Sequence, residues 1–146
     1  MKANKIIFLF VLTFIASVNC YAQWTTDTVL NTLVVDSEGG DMQAISTSEG
    51  KTYVVFWKSV APPVNYELRL QILNADGYQL LGNDGMLVSD VIPMSTYTVI
   101  WSIVTDNEDN LYIGITGTDN GEPAFVFKLD TEGNHLWGSN GVNVGS

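Results

Sequence analysis

The sequence predicts an all-β protein. Beyond residue 22, short apolar segments alternate with clusters of Gly, Asn, Asp and Ser, which is the pattern of strands joined by turns. No segment in this region has the periodicity of a helix. In addition, a stretch with matched glycines recurs after 56 residues.

The predicted strands lie at residues 33–35, 42–47, 51–59, 66–72, 86–89, 97–105, 111–116, 124–129 and 142–144. The clearest is 66–72, because its residues alternate in polarity and the apolar ones would share one face. Segment 51–59 is dense in β-forming residues. Segment 97–105 is so apolar that we expect it to be buried on both faces.

The turns between these segments have identifiable chemistry. Asp76-Gly77 and Asp84-Gly85 each offer a glycine, which takes the positive φ that tight hairpins need. Pro62 and Pro63 cannot lie in a central strand, so the segment around them is predicted to be a loop.

An internal repeat is the most informative feature. Residues 73–85 align without a gap to residues 129–141, and the first Leu, a second Leu and all three glycines are identical. Upstream, residues 46–55 resemble residues 104–113, with a loop one residue longer in the second copy. A period of this length with about four strands in each copy indicates propeller blades or a related β array.

The second copy resembles a known family. Its segments DNLYIG at 109–114, FVFKLD at 125–130 and GNHLWG at 133–138 are similar to the β-propeller repeats of exported surface proteins from Bacteroidetes-like bacteria. The first copy departs from this pattern, with Leu81 in the place of Trp137. The resemblance implies two blades of about four antiparallel strands, near 33–90 and 91–146, and it implies no particular activity.

Two blades alone do not close a propeller, which needs about four to eight. Three interpretations remain. The chain is the N-terminal part of a longer protein, which we favour; or copies of it associate through open sheet edges; or its strands form a β-sandwich.

The N-terminus has the three parts of a secretory signal peptide. Lys2 and Lys5 precede the apolar run 6–16, and small residues at Cys20 and Ala22 predict cleavage before Gln23. A membrane anchor is disfavoured because a spanning helix needs about 20 apolar residues. Lipidation of Cys20 is the second alternative, although Asn19 is a poor residue to precede a lipidated cysteine.

Cleavage would leave a strongly acidic chain without cysteine. The full sequence has six basic and 16 acidic residues and a net charge of −10; losing Lys2 and Lys5, with no acid, takes the charge to −12. The remaining basic residues are scattered, so we expect no nucleic-acid partner and no attachment to an anionic membrane surface. Such a chain must be held together by packing, since it has no disulfide.

One loop could bind a metal ion. Asp106, Glu108 and Asp109 cluster oxygen ligands of the type that Ca²⁺ prefers, although the EF-hand spacing is missing. The alternative is a solvated hairpin loop, where Asn and Asp turn easily. We favour the loop and expect no resident cofactor.

Ligand-binding candidates are the tryptophans Trp57, Trp101 and Trp137, which could stack on sugars but are expected to serve core packing. No nucleophile motif is present, His135 is the single histidine, and Arg69 is the single arginine, so no catalytic residue is assigned. We therefore expect an exported, non-catalytic repeat module for surface interaction with a protein or glycan. The alternative is part of an exported carbohydrate-active enzyme or lectin.

Overall fold

A computed structural model describes residues 32–61, 66–90, 101–115 and 124–145. This part of the chain contains no helix and eight β-strands, so the all-β prediction is confirmed. The strands are β1 (Gly39–Ser46), β2 (Thr52–Ser59), β3 (Tyr66–Leu73), β4 (Met86–Ser89), β5 (Trp101–Thr105), β6 (Leu111–Ile115), β7 (Phe125–Leu129) and β8 (Val142–Asn143). The predicted signal peptide lies outside the described residues.

The strands form two four-stranded antiparallel sheets, as predicted. The first sheet has the order β1-β2-β3-β4 and the second has the order β5-β6-β7-β8, so each is a simple meander. The β2–β3 pair keeps one register over its whole length, whereas β1 shifts register between Gly40 and Gln43. The two sheets do not close into a barrel.

The turn that follows the third strand is built alike in both sheets. An isolated bridge joins Leu73 to Gln79 in the first sheet, and another joins Leu129 to His135 in the second. The tight turn within each bridge contains a glycine with a positive φ. This glycine is Gly77, with φ of 85°, in the first sheet and Gly133, with φ of 92°, in the second. These positive φ angles explain why glycine stands at both places.

Each sheet has two faces, which we name from the second strand. The front face carries Tyr53 in the first sheet and Tyr112 in the second, and the back face carries Val54 and Ile113 respectively. Cross-strand pairing keeps each face continuous over neighbouring strands, as where Tyr53 pairs with Ile72.

One hydrophobic core lies between the sheets. It combines the front face of the first sheet with the back face of the second, and its fully buried members include Val55 and Leu70 from the first sheet and Ile113 and Phe127 from the second. The sheets therefore pack front to back, so the surfaces that meet are different ones. A two-fold symmetric sandwich would instead join two equivalent faces.

Hydrogen bonds across this interface keep the two sheets in register. The Tyr53 hydroxyl donates to the backbone oxygen of Asp109 at 2.8 Å, and the Gln43 amide donates to the backbone oxygen of Trp101, also at 2.8 Å. Tyr53 is fully buried, and burial together with the nearby Asp109 carboxylate raises its pKa to about 12.

Two local predictions were wrong. Residues 33–35 form no strand; the backbone oxygens of Leu33 and Val34 accept hydrogen bonds from the Gln79 side chain instead of pairing with a strand. Within 97–105, the described residues of β5 are buried on one face only, because Ser102 and Val104 lie on the exposed front face.

Candidate functional site

The acidic loop between β5 and β6 is organised around the Asp106 carboxylate. Its oxygens accept hydrogen bonds from the backbone nitrogens of Glu108 and Asn110 at 3.0 and 2.9 Å, and from the Tyr112 hydroxyl at 3.1 Å. Lys128 forms an ion pair with it at 3.2 Å. The Asn110 side chain leads the causes that hold the pKa of Asp106 well below its usual range.

Asp109 points away from Asp106 and towards the first sheet. Its carboxylate accepts hydrogen bonds from the backbone nitrogen of Ser48, at 2.9 Å, and from the Ser48 hydroxyl. These bonds lower the pKa of Asp109, and its φ of 60° is tolerated because Asp adopts the left-handed region more readily than most residues.

The three calcium candidates therefore do not converge on one point: Asp106 and Glu108 share the Asn110 side-chain amide, and Asp109 bonds Ser48 instead. Asp106 is surrounded by donors from its own loop and from β6 and β7, Asp109 joins the two sheets, and Glu108 accepts from the Asn110 amide at 3.2 Å. Among the described residues, no group of His, Cys, Asp and Glu side chains is arranged to hold a metal ion. Calcium binding stays the less favoured of the two interpretations that the sequence left open for this loop.

The three tryptophan candidates differ in exposure. Trp57 and Trp101 are buried and pack edge to face at 6.3 Å between ring centroids, and the Trp101 indole donates to Asp41 at 2.8 Å. Trp137 is 44% exposed. It is the one of the three whose ring a ligand could reach in this structure.

Trp137 belongs to a small cluster on the front face of the second sheet. Its ring meets Tyr112 edge to face at 5.5 Å, and the Lys128 ammonium lies 4.9 Å from the Tyr112 ring centroid. Contact with Tyr112 and the ion pair with Asp106 both raise the pKa of Lys128. We call Asp106, Tyr112, Lys128 and Trp137 the aromatic–ionic cluster; its aromatic surface and fixed charges can hold an apolar or a polyhydroxylated partner.

His135 does not form part of a catalytic group in the described structure. Its Nδ1 atom is buried without a hydrogen-bond partner, its ring lies edge to face with Phe127 at 6.3 Å, and burial lowers its pKa. His135 is therefore a packing residue, and its backbone forms the isolated bridge to Leu129.

No membrane-spanning helix is found in the parts of the chain that the structure describes. Comparisons with protein-family models, with curated proteins and with solved structures each find no match to this chain. The functional assignment therefore rests on the geometry of the two sheets.

Sequence reasoning identified Trp137, and Asp106 as a calcium candidate, but missed Tyr112 and Lys128. Tyr112 was assigned only to a strand, and Val104 was expected to be buried, yet Val104 is 56% exposed beside Tyr112. The sequence signal was the alignment of Tyr112 with Tyr53, which places the two tyrosines on equivalent faces of the sheets.

Proposed function

We propose that this chain is the N-terminal part of an exported, non-catalytic β-propeller-type repeat protein that serves surface interaction or binding. The observation that supports the architecture best is the front-to-back packing of two meander sheets. Such packing can be repeated by each following sheet, because every sheet then offers a front face to the next.

The signal-peptide pattern supports export. The hydrophobic core between the sheets is consistent with an exported chain that is held together by packing rather than by disulfides. Expression of the complete chain in a Gram-negative host, followed by intact mass measurement of the exported product, tests export. We expect a mass that begins at Gln23. A product that keeps residues 1–22 inside the cell would contradict export, and a mature mass that begins at a diacylated Cys20 would replace cleavage before Gln23 with lipidation.

The length of the natural protein tests the repeat architecture. We expect the reading frame to continue beyond codon 146 and to encode further segments with glycines spaced as in residues 77–85 and 133–141. A stop codon directly after Ser146 would contradict the proposal that the chain is part of a longer protein.

A lectin, or part of a carbohydrate-active enzyme, is the second candidate function. The exposed Trp137 ring favours it, because this ring packs on Tyr112, which also contacts the Lys128–Asp106 ion pair, and sugars bind by stacking on aromatic rings and by hydrogen bonds to charged groups. Titration with chito-, cello- and malto-oligosaccharides tests this candidate. Heat of binding that disappears in Trp137→Ala would support it, and its absence for all three series would argue against it.

A further inference from the structure

Apolar side chains on the front face of the second sheet are exposed at positions that are buried in the first. Val144 is 60% exposed, whereas Val88, 56 residues earlier, is 2% exposed. Val104, which pairs with Tyr112, is 56% exposed, whereas Ile45, which pairs with Tyr53 at the equivalent place in the first sheet, packs against the core. The front face of the first sheet is covered by the second sheet, so the second sheet has the same kind of surface without the same cover.

The back face of the first sheet, which forms the opposite end of the two-sheet stack, has a more polar surface. The back face of the first sheet carries the ion pairs Lys58–Asp84, at 3.0 Å, and Arg69–Glu67, at 2.7 Å. Of its apolar residues, Val54 and Phe56 are already buried, with 6% and 0% exposure, whereas Leu87 is 40% exposed. Repeat arrays end in units with a polar outer face, and the first sheet fits that description.

The loop after β3 and the segment before β1 also close this end. Asn83 accepts a backbone hydrogen bond from Asp36 at 2.8 Å, and its side-chain amide donates to the Asp36 carboxylate at 2.7 Å. A second copy of the chain therefore offers, on the described part of its first sheet, a back face that is largely polar, although Leu87 is exposed there. This argues against self-association as the cover of the exposed front face.

We propose that the front face of the second sheet docks the back face of a further four-stranded sheet of the same repeat. The inference deepens the proposed function and rests on it. It assigns the aromatic–ionic cluster to the junction with the next repeat rather than to a small ligand.

The existing interface indicates what the docking sheet must present. At that interface Tyr53 donates to the backbone oxygen of Asp109, which lies in the turn between the first two strands of the second sheet. Tyr112 is the equivalent residue of the second sheet, and on docking its hydroxyl would exchange its present bond to Asp106, at 3.1 Å, for one to the equivalent turn of the next sheet. A glycine turn is required as well, since Gly133 is buried and a Cβ there would lie 2.5 Å from the sulfur of Met86. The counterpart of Met86 in the second sheet is Val142, which is 40% exposed.

The experiment introduces single cysteines into a Cys20→Ser variant and measures how accessible each thiol is to a labelling reagent. Val104→Cys reports the front face of the second sheet, and Leu80→Cys is the matched control, because Leu80 is 49% exposed on a loop of the first sheet. Both are placed in the exported chain and in the same chain extended after Ser146 by a second copy of residues 91–146. The rate at which a disulfide reagent labels each cysteine is then compared between the unextended and the extended chain.

We expect the extension to slow labelling at Val104→Cys by about ten-fold or more, because a covered thiol reacts only through local opening. Labelling at Leu80→Cys should stay unchanged. Equal rates at Val104→Cys in the two chains would overturn the proposal. So would failure of the appended sheet to order, judged by circular dichroism, because the same sequence already orders against the equivalent face of the first sheet.

Two further measurements test whether something other than a further repeat covers the front face of the second sheet. Protection of Val104→Cys that rises with the concentration of the unextended chain would show that a second copy covers this face, and protection by an added oligosaccharide would show that a sugar does. Either result would overturn the assignment to a further repeat. These results are independent of export, so an exported chain with an unprotected Val104→Cys would refute this inference alone.

Discussion

Gly133→Ala tests the front-to-back packing of the sheets directly. The new Cβ would lie 2.5 Å from the Met86 sulfur, across the interface, on a backbone with φ of 92°. The left-handed conformation alone costs an alanine about 1–2 kcal/mol, and overpacking adds about 1–3 kcal/mol. Met86 is flexible and can move its sulfur, so we expect a total loss of about 2–4 kcal/mol in the free energy of unfolding.

Gly138→Ala is the matched control. Its φ is 84°, and a Cβ there meets nothing within 4 Å, so it carries the backbone cost of about 1–2 kcal/mol without the clash. Both variants are compared by urea-induced unfolding of the exported chain, with an unchanged dependence on denaturant as evidence that compactness is preserved.

Met86→Ala completes the test as a double-mutant cycle with Gly133→Ala. If the two residues touch across the interface, the double variant should lose about 1 kcal/mol less stability than the sum of the single variants. Equal losses for Gly133→Ala and Gly138→Ala, together with additivity between Gly133→Ala and Met86→Ala, would refute the packing that we describe.

Three further predictions concern single side chains. Phe127→Ala should cost about 3–5 kcal/mol in urea unfolding, because the ring is fully buried between the sheets; a cost below about 1 kcal/mol would place it outside the core. Tyr53→Phe should cost about 0.5–1.5 kcal/mol at neutral pH by losing its hydrogen bond to Asp109. Since folding raises the pKa of Tyr53 from 10.0 to about 12, the wild type should lose stability as pH rises through this range, and Tyr53→Phe should lose less. Folding lowers the pKa of Asp106, so its stabilising effect is complete above the unfolded pKa of about 4 and declines as pH falls from there towards the folded value. Asp106→Asn should therefore flatten the acid side of the stability profile, and an unchanged profile would contradict this role.

Two units of about four antiparallel strands each could be predicted because local signals agreed. Alternating polarity in β3 and turn glycines such as Gly77 depend on residues close in sequence, and both were interpreted correctly. The edge segment 33–35 could not be distinguished from a strand, because its apolar residues bond a side chain, that of Gln79, which lies far away in sequence.

The candidate site was less predictable, because exposure depends on which face meets the neighbouring sheet. Trp57 and Trp137 are the same residue type in strand-rich surroundings, yet one is 3% and the other 44% exposed. The roles of Asp106 and Asp109 likewise separate only in three dimensions, where one closes its own loop and the other reaches Ser48.

The loop after the third strand is held differently in the two sheets, and Gln71 is the residue that makes the difference. It is completely buried on the back face, where its side-chain oxygen accepts from the backbone of Leu81 at 3.0 Å and its nitrogen donates to Gly82 at 2.6 Å. The amide therefore clamps the loop that delivers Leu81 to the opposite face. The second sheet has Phe127 at this position, which has no amide to do so. The loop that carries Trp137 is therefore held without the two side-chain hydrogen bonds that fix the loop of Leu81, and the Trp137 ring is positioned by its contact with Tyr112 instead.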